Sequence, residues 1–452
     1  MTFAARRPAA PSWRAFTALG LSLWLVVAGP APAGDTAATL PEPLTLAAAL
    51  AMADQPHPEL LRARADLMGA EAQRELARSD RALQVDLVGR LRWVTPAPAS
   101  FDTVTDDHSL ILQASKRLYD FGQTRSALEA ADLDLEAQRL LLQRAQNLRR
   151  VQILAAFLDV HLADLAFVQA NEAMAIAYVR YDAVRDRHEQ GLVSDVDLLA
   201  AEVRYQESRR ARYEADVARR STRERLAALL NHPGELPSSL EVPRFPGLDR
   251  RLPDAAELQA RALAHNPELL ALRRQVDAAR QRVAAARAGR YPVLDAEFVT
   301  GAYTRQFKGR DQVRAGVVFE VPLVTGGAVD ARVGESEAER IRAQAGLREA
   351  EMRVRQEVLD LRQRVYVLQA QRDQARVTRE YRDLYLDRSR ALYELDLRTD
   401  LGDAMVQYSA ARLLAARTDY ELAVAFARLD ALLGRQVDPL KAPAAAGTAK
   451  KE

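Results

Sequence analysis

The chemistry open to this chain begins with four acids. Asp195 and Asp197 follow the run Gly191-Leu192-Val193-Ser194, and Asp400 and Asp403 follow Asp396-Leu397-Arg398-Thr399. Each pair stands where a helix would start, a position in which the helix dipole alone favours a carboxylate. Repeated by rotational symmetry, the same carboxylates would form rings that attract cations and narrow an opening. Other chemistry is absent from the pattern. The six histidines, at positions 57, 108, 161, 188, 232 and 265, fall at no metal-ligand spacing, so no metal site is expected. No Gly-rich phosphate loop occurs, and no nucleophile stands with a matched base, so neither catalysis nor a cofactor is expected. Glu59 and Glu268 recur at matching helix starts, which makes them structural features rather than reactive groups.

Residues 1–33 read as a signal peptide. Arg6, Arg7 and Arg14 give a basic start, 15–28 an apolar run, and Ala31-Pro32-Ala33 a small-residue cleavage site. An apolar run of about 14 residues is too short to span a bilayer. Beyond residue 33 the chain holds 61 basic and 62 acidic side chains, a near-neutral balance that argues against a nucleic-acid partner. With no cysteine there is no disulfide framework and no N-terminal cysteine to carry a lipid. No later stretch reads as an unbroken apolar run of membrane-spanning length, so any membrane segment is expected to be made of strands.

The elements that must position the acids are long helices. No proline occurs between Pro98 and Pro233 or between Pro322 and Pro439, and both stretches are rich in Ala, Leu, Arg, Glu and Gln. From Gln123 to Glu189 a continuous helix would be about 100 Å long. Leu133, Leu140, Leu154 and Val168 keep heptad spacing, and Leu141, Leu148, Ala155 and Leu162 run beside them. So wide an apolar arc predicts neighbours on more than one side. Each long helix is broken once, at 190–195 and at 395–400, where Gly191 suits a helix end and Ser194 and Thr399 suit caps. The pattern predicts two antiparallel helical hairpins with these breaks at their tips.

Before each hairpin lie two segments of period-two alternation. Val85, Leu87, Leu91 and Trp93 alternate with Asp86, Val88, Arg90 and Arg92, and Leu110, Leu112 and Ala114 with Ser109, Ile111, Gln113 and Ser115. Leu294, Ala296 and Phe298 alternate with Asp295, Glu297 and Val299, and Val313, Ala315, Val317 and Phe319 with Arg314, Gly316, Val318 and Glu320. Strands are expected over about 84–94, 108–117, 293–303 and 312–321. One apolar and one partly charged face is what a transmembrane barrel strand requires. Trp93, near the end of the first strand, suits the membrane interface. Four strands cannot close a barrel, so copies must combine.

The whole sequence of elements occurs twice. His57-Pro58-Glu59-Leu60-Leu61 returns 209 positions later as Asn266-Pro267-Glu268-Leu269-Leu270, and Asp86 falls on Asp295. Leu118-Tyr119-Asp120-Phe121-Gly122 matches Leu323-Val324-Thr325-Gly326-Gly327, and Leu192-Val193-Ser194-Asp195 matches Leu397-Arg398-Thr399-Asp400. A unit this long is a duplicated half-molecule rather than a solenoid repeat. The halves are residues 34–230 and 254–435, joined by a proline-rich linker over 231–253 and followed by a tail at 436–452 expected to be disordered. The fold class is therefore mainly α with a small transmembrane β part.

A Pro-Glu-Leu helix start, a strand pair, a long helix, the Gly191-Leu192-Val193-Ser194-Asp195 turn and a returning helix, all repeated, resemble the TolC-type outer membrane efflux proteins over residues 42–435. The resemblance implies a homotrimer with a twelve-stranded barrel in the outer membrane of a Gram-negative bacterium and a helical tunnel in the periplasm. It implies a passive exit duct of a tripartite efflux or type I secretion system, partnered by a periplasmic adaptor, an inner-membrane pump and outer-membrane lipid. It also implies that the tips dock the adaptor, through Gly191, Leu192, Val193, Ser194, Asp396, Leu397 and Thr399. The same tips would close the tunnel, through Arg398, Asp400, Asp403, Asp195 and Asp197. Arg398-Thr399 matches the family's Arg-Thr pair, but the position four after the Arg is Gly402, so the gate acids do not map one for one. The other reading the pattern allows is a soluble periplasmic coiled-coil scaffold or adaptor protein.

Overall fold

The structure, a computed structural model, describes residues 40–95, 105–232, 236–305, 311–395 and 400–441. The signal segment 1–33, the tip residues Asp396, Leu397, Arg398 and Thr399, and most of the tail lie outside these residues. Helices dominate. In chain order the elements are α1 (Leu46–Ala51), α2 (Pro58–Ser79), β1 (Gln84–Arg90), β2 (Ser109–Tyr119), α3 (Gln123–Glu189) and α4 (Asp195–Leu229). There follow α5 (Ala255–His265), α6 (Pro267–Ala288), β3 (Val293–Tyr303), β4 (Val313–Glu320), α7 (Ala328–Glu394) and α8 (Leu401–Leu432).

The helices begin where local chemistry satisfies their first amides. His57 and Asn266 cap α2 and α6 through side chains that accept from Glu59 N and Glu268 N, with Pro58 and Pro267 in the first turn. Asp120 caps α3 from outside the helix: its carboxylate accepts from Gly122 N at 3.1 Å, from Thr124 N at 2.8 Å and from the Thr124 hydroxyl. Gly122, with φ +91°, makes the sharp bend that brings the carboxylate round.

α3 runs through the centre and packs on α2, α4, α6 and α8. It contains an 18-residue window of mean hydropathy 1.7, apolar enough by composition to cross a membrane, which corrects the expectation that no such stretch follows the signal. The physical reason is the bundle core. Val151, Ile153, Leu154, Phe157, Leu158 and Val160 of α3 are buried against Leu44, Leu50, Leu226, Leu230 and Tyr420. Within that core Arg149 is fully buried, donating to Ala53 O at 2.9 Å and to Leu229 O at 2.7 Å. A cation on the terminal carbonyls of α4 is favoured by the helix dipole. The segment at 236–253 lies across the helices rather than free of them, with Leu248 buried beside Val365, Leu368 and Phe426.

The four strands form one antiparallel sheet in the order β1-β2-β3-β4. Its register separates two faces. On one, Val85, Leu87, Leu110, Leu112, Phe298, Ala296, Ala315 and Val317 make a largely apolar surface, interrupted by Lys116 and Thr300 and much of it exposed. On the other lie Asp86, Arg90, Ser109, Gln113, Ser115, Glu297 and Arg314. β1 ends at Arg90, and pairing resumes beyond it as a bridge between Trp93 and Asp106. Trp93 is exposed and edge-on to His108, with ring centroids 5.2 Å apart.

Candidate functional site at the helical tips

At the first tip the chain turns from α3 into α4 within five residues. Gly191, at φ +72°, donates to His188 O at 2.8 Å, and Leu192 N donates to Arg187 O at 2.9 Å, which closes off α3. Ser194 then caps α4: its hydroxyl accepts from Asp197 N at 3.2 Å and donates to the Asp197 carboxylate at 2.7 Å. Asp195 meets His188 Nε2 at 2.6 Å across the turn. Both acids of this tip are thus engaged locally. Leu192 is 65% exposed, whereas Val193 is half-buried.

The second tip engages its acids over longer reach. α8 begins at Leu401, so the residue at its cap position is Asp400 rather than Thr399, and Asp400 makes no side-chain cap bond. Its carboxylate instead accepts from the Tyr385 hydroxyl of α7 at 2.9 Å. That bond and the carboxylate's charge raise the Tyr385 phenol above its ordinary pKa. Asp403 pairs with Arg180 of α3, which ties the second hairpin to the first. One turn of α3 away, Ile176 lies against Gly402 so closely that a Cβ at 402 would stand 2.6 Å from Ile176 Cδ1. A further cross-hairpin link joins Ser409 of α8 to Glu172 of α3.

The structure therefore brings Asp403 to a basic partner, and that partner is Arg180. Arg398 lies outside the described residues. Sequence reasoning missed Arg180, Tyr385 and the approach of Ile176 to Gly402, because all three side chains sit in ordinary helical sequence. The signal that could have found them is Gly402, a glycine inside a helix start with no turn to make, which marks a close approach of another helix.

These contacts are weak ones. Arg180 and Asp403 remain 57% and 46% exposed, and exposed ion pairs contribute little net stability. The arrangement does no bond chemistry. It holds the two hairpins together.

Comparison with known proteins places this geometry. The profile for outer membrane efflux proteins matches residues 49–232 and 258–435. The outer membrane efflux protein BepC of Brucella suis biovar 1 is 26% identical over 254 residues, 55% of this chain, and the chain spans about half (54%) of that relative. The outer membrane protein VceC of Vibrio cholerae shares the fold, with a TM-score of 0.66 at 20% identity over 87% of this chain and 97% of that one. So does the open state of the Neisseria gonorrhoeae MtrE outer membrane channel, with a TM-score of 0.69 at 19% identity over 88% and 90%. The proteins the chain resembles are channels, not enzymes. With both halves matched, the chain belongs to the outer membrane efflux protein family.

Proposed function

We propose that three copies of this chain form a passive exit duct through the outer membrane of a Gram-negative bacterium, fed by a periplasmic adaptor and an inner-membrane pump. The observation that carries this reading is the sheet. It has an exposed apolar face, a polar opposite face, and two outer strands, β1 and β4, each paired on one side only. In lipid an unpaired strand edge costs several kcal/mol per backbone group, so β4 of one copy must meet β1 of the next. Twelve strands from three copies close the barrel, with Trp93 at the membrane interface. In water the apolar face would be left uncovered, which disfavours the soluble scaffold.

In this reading residues 34–230 and 254–435 are two repeats joined by 231–253, each giving one strand pair and one hairpin to barrel and tunnel. The signal at 1–33 directs export and is removed. The helical wall closes as the barrel does. Most of α4 packs on α3, while Arg223 near its end donates to the Pro237 and Ser238 carbonyls, and Val196, Leu199, Val203, Tyr213 and Val217 form an exposed heptad seam. Val377, Tyr381 and Leu384 form the matching exposed seam on α7, continued by Leu395 just past its end.

The tips lie at the periplasmic end. Gly191, Leu192, Val193 and Ser194, with Asp396, Leu397 and Thr399, dock the adaptor. Asp400 and Asp403, with Arg398 and the observed partners Tyr385 and Arg180, hold the tunnel closed, while Asp195 and Asp197 stiffen the first tip. Fractionation tests the whole reading: heat-sensitive trimers are expected in the detergent-extracted outer membrane. A monomer in the periplasmic extract would overturn it.

A further inference from the structure

The polar face of the sheet is not uniform along its length. Nearer the helices it carries Glu297 and Glu320, and Asp295 paired with Arg117 at 3.1 Å. Toward the far end basic groups gather, with Asp86 level with Arg314 across the sheet. Arg90, Arg92 and Arg314 converge there with the Tyr303 ring on a cleft of about 260 Å³ that also holds Asp107 and Asp311. Arg92 is committed: its Nε donates to Asp107 Oδ2 at 2.9 Å, and Asp107 is buried. Among the described residues neither Arg90 nor Arg314 forms an ion pair. Among the described residues, two guanidinium groups without an ion-pair partner thus line one cleft, beside the Asp311 carboxylate, on the side of the sheet that turns away from the apolar surface.

We propose that this cleft is an anion-binding collar at the outer mouth of the duct, taking multivalent oxyanions that carry phosphate or carboxylate groups. The inference rests on the duct reading, in which the polar face lines the lumen. Closing the barrel from three copies repeats Arg90 and Arg314 as a ring, and a charged ring inside a narrow pore concentrates counter-ions and sets which ions dwell there. Guanidinium suits the task because its planar fork binds oxyanions in bidentate fashion. The acids nearer the helices make the collar one-sided: an anion from outside reaches it directly, whereas one from the periplasmic side must first pass Glu297 and Glu320. Lipid phosphates are not the intended ligand, since they meet the apolar face.

The test is single-channel recording of the full-length trimer in neutral phosphatidylcholine bilayers, with inorganic tripolyphosphate added to each side in turn. Block is expected from one side only. In R90Q/R314Q the half-blocking concentration should rise by about tenfold or more, because six of the ring's charges are removed. R90K/R314K, which keeps the charge, should retain most of the block, and heat-sensitive trimers that insert and conduct in both variants show that the barrel is intact. Equal block from both sides, or block untouched by the glutamine pair, would overturn the collar while leaving the duct reading standing. Failure of the wild-type trimer to conduct at all would overturn the duct and the collar with it.

Discussion

Asp120 and Arg180 show two kinds of side chain that govern this molecule. Burial of Asp120 would by itself raise its pKa, but the bonds from Thr124 and Gly122 and the charge of Arg117 outweigh that and leave it lowered. A carboxylate with a depressed folded pKa adds stability that is full above the unfolded value of about 3.9 and is lost as pH falls through the folded one. Asp120→Ala is therefore expected to cost about 1 kcal/mol at neutral pH, and Asp120→Asn to keep much of the cap while flattening the acid dependence. Thermal melting of the purified protein from pH 7 down to 3 checks both. Arg180 acts at a distance, with its partner Asp403 lying 223 positions away. Arg180→Ala should leave folding intact and raise the fraction of time that reconstituted channels spend open; an unchanged open fraction would remove this pair from the gate. Ser194 was legible as a cap because its partner stands three residues on. Arg180 was not, because nothing in one helix announces which turn of another it will face.

At the scale of elements, the proline-free stretches and the Gly191 break were enough to foresee long helices and their reversal, since helix propensity and capping are local. Which helix lies in the middle was not foreseeable. α3 and α7 are both 67 residues long, yet α3 carries the buried core and α7 stays exposed over much of its surface. The difference follows from packing: α3 touches α2, α4, α6 and α8, whereas α4 forms an outer edge of the bundle. In the proposed trimer the seam on α4 is covered by a neighbouring copy. Val203→Asp, placed mid-seam, should lower the yield of heat-sensitive trimer several-fold, because a carboxylate would be buried without a partner. The helical content measured by circular dichroism should not change, since Val203 is exposed within one copy.

For the whole molecule, the proposed duct makes docking and closure separable. Gly191 has open space around its missing Cβ, so a large residue there changes the tip surface and strains a left-handed turn without disturbing the core. Gly191→Trp and Leu397→Asp are each expected to abolish export in a cell-based efflux assay while trimers still form in the outer membrane. Normal export by either variant would take the tips out of the docking role.

The sequence by itself determined the order of elements, the two faces of each strand and the Ser194 cap, because these depend on spacing within a few residues. It also carried the repeated motifs from which we infer a duplication. Only the tertiary structure decided that Asp403 meets Arg180, that Gly402 makes room for Ile176, and that an apolar window of α3 is core rather than membrane span. Each of those joins parts of the chain far apart in sequence. Their partners are chosen by how helices and strands pack, a choice that local periodicity does not encode.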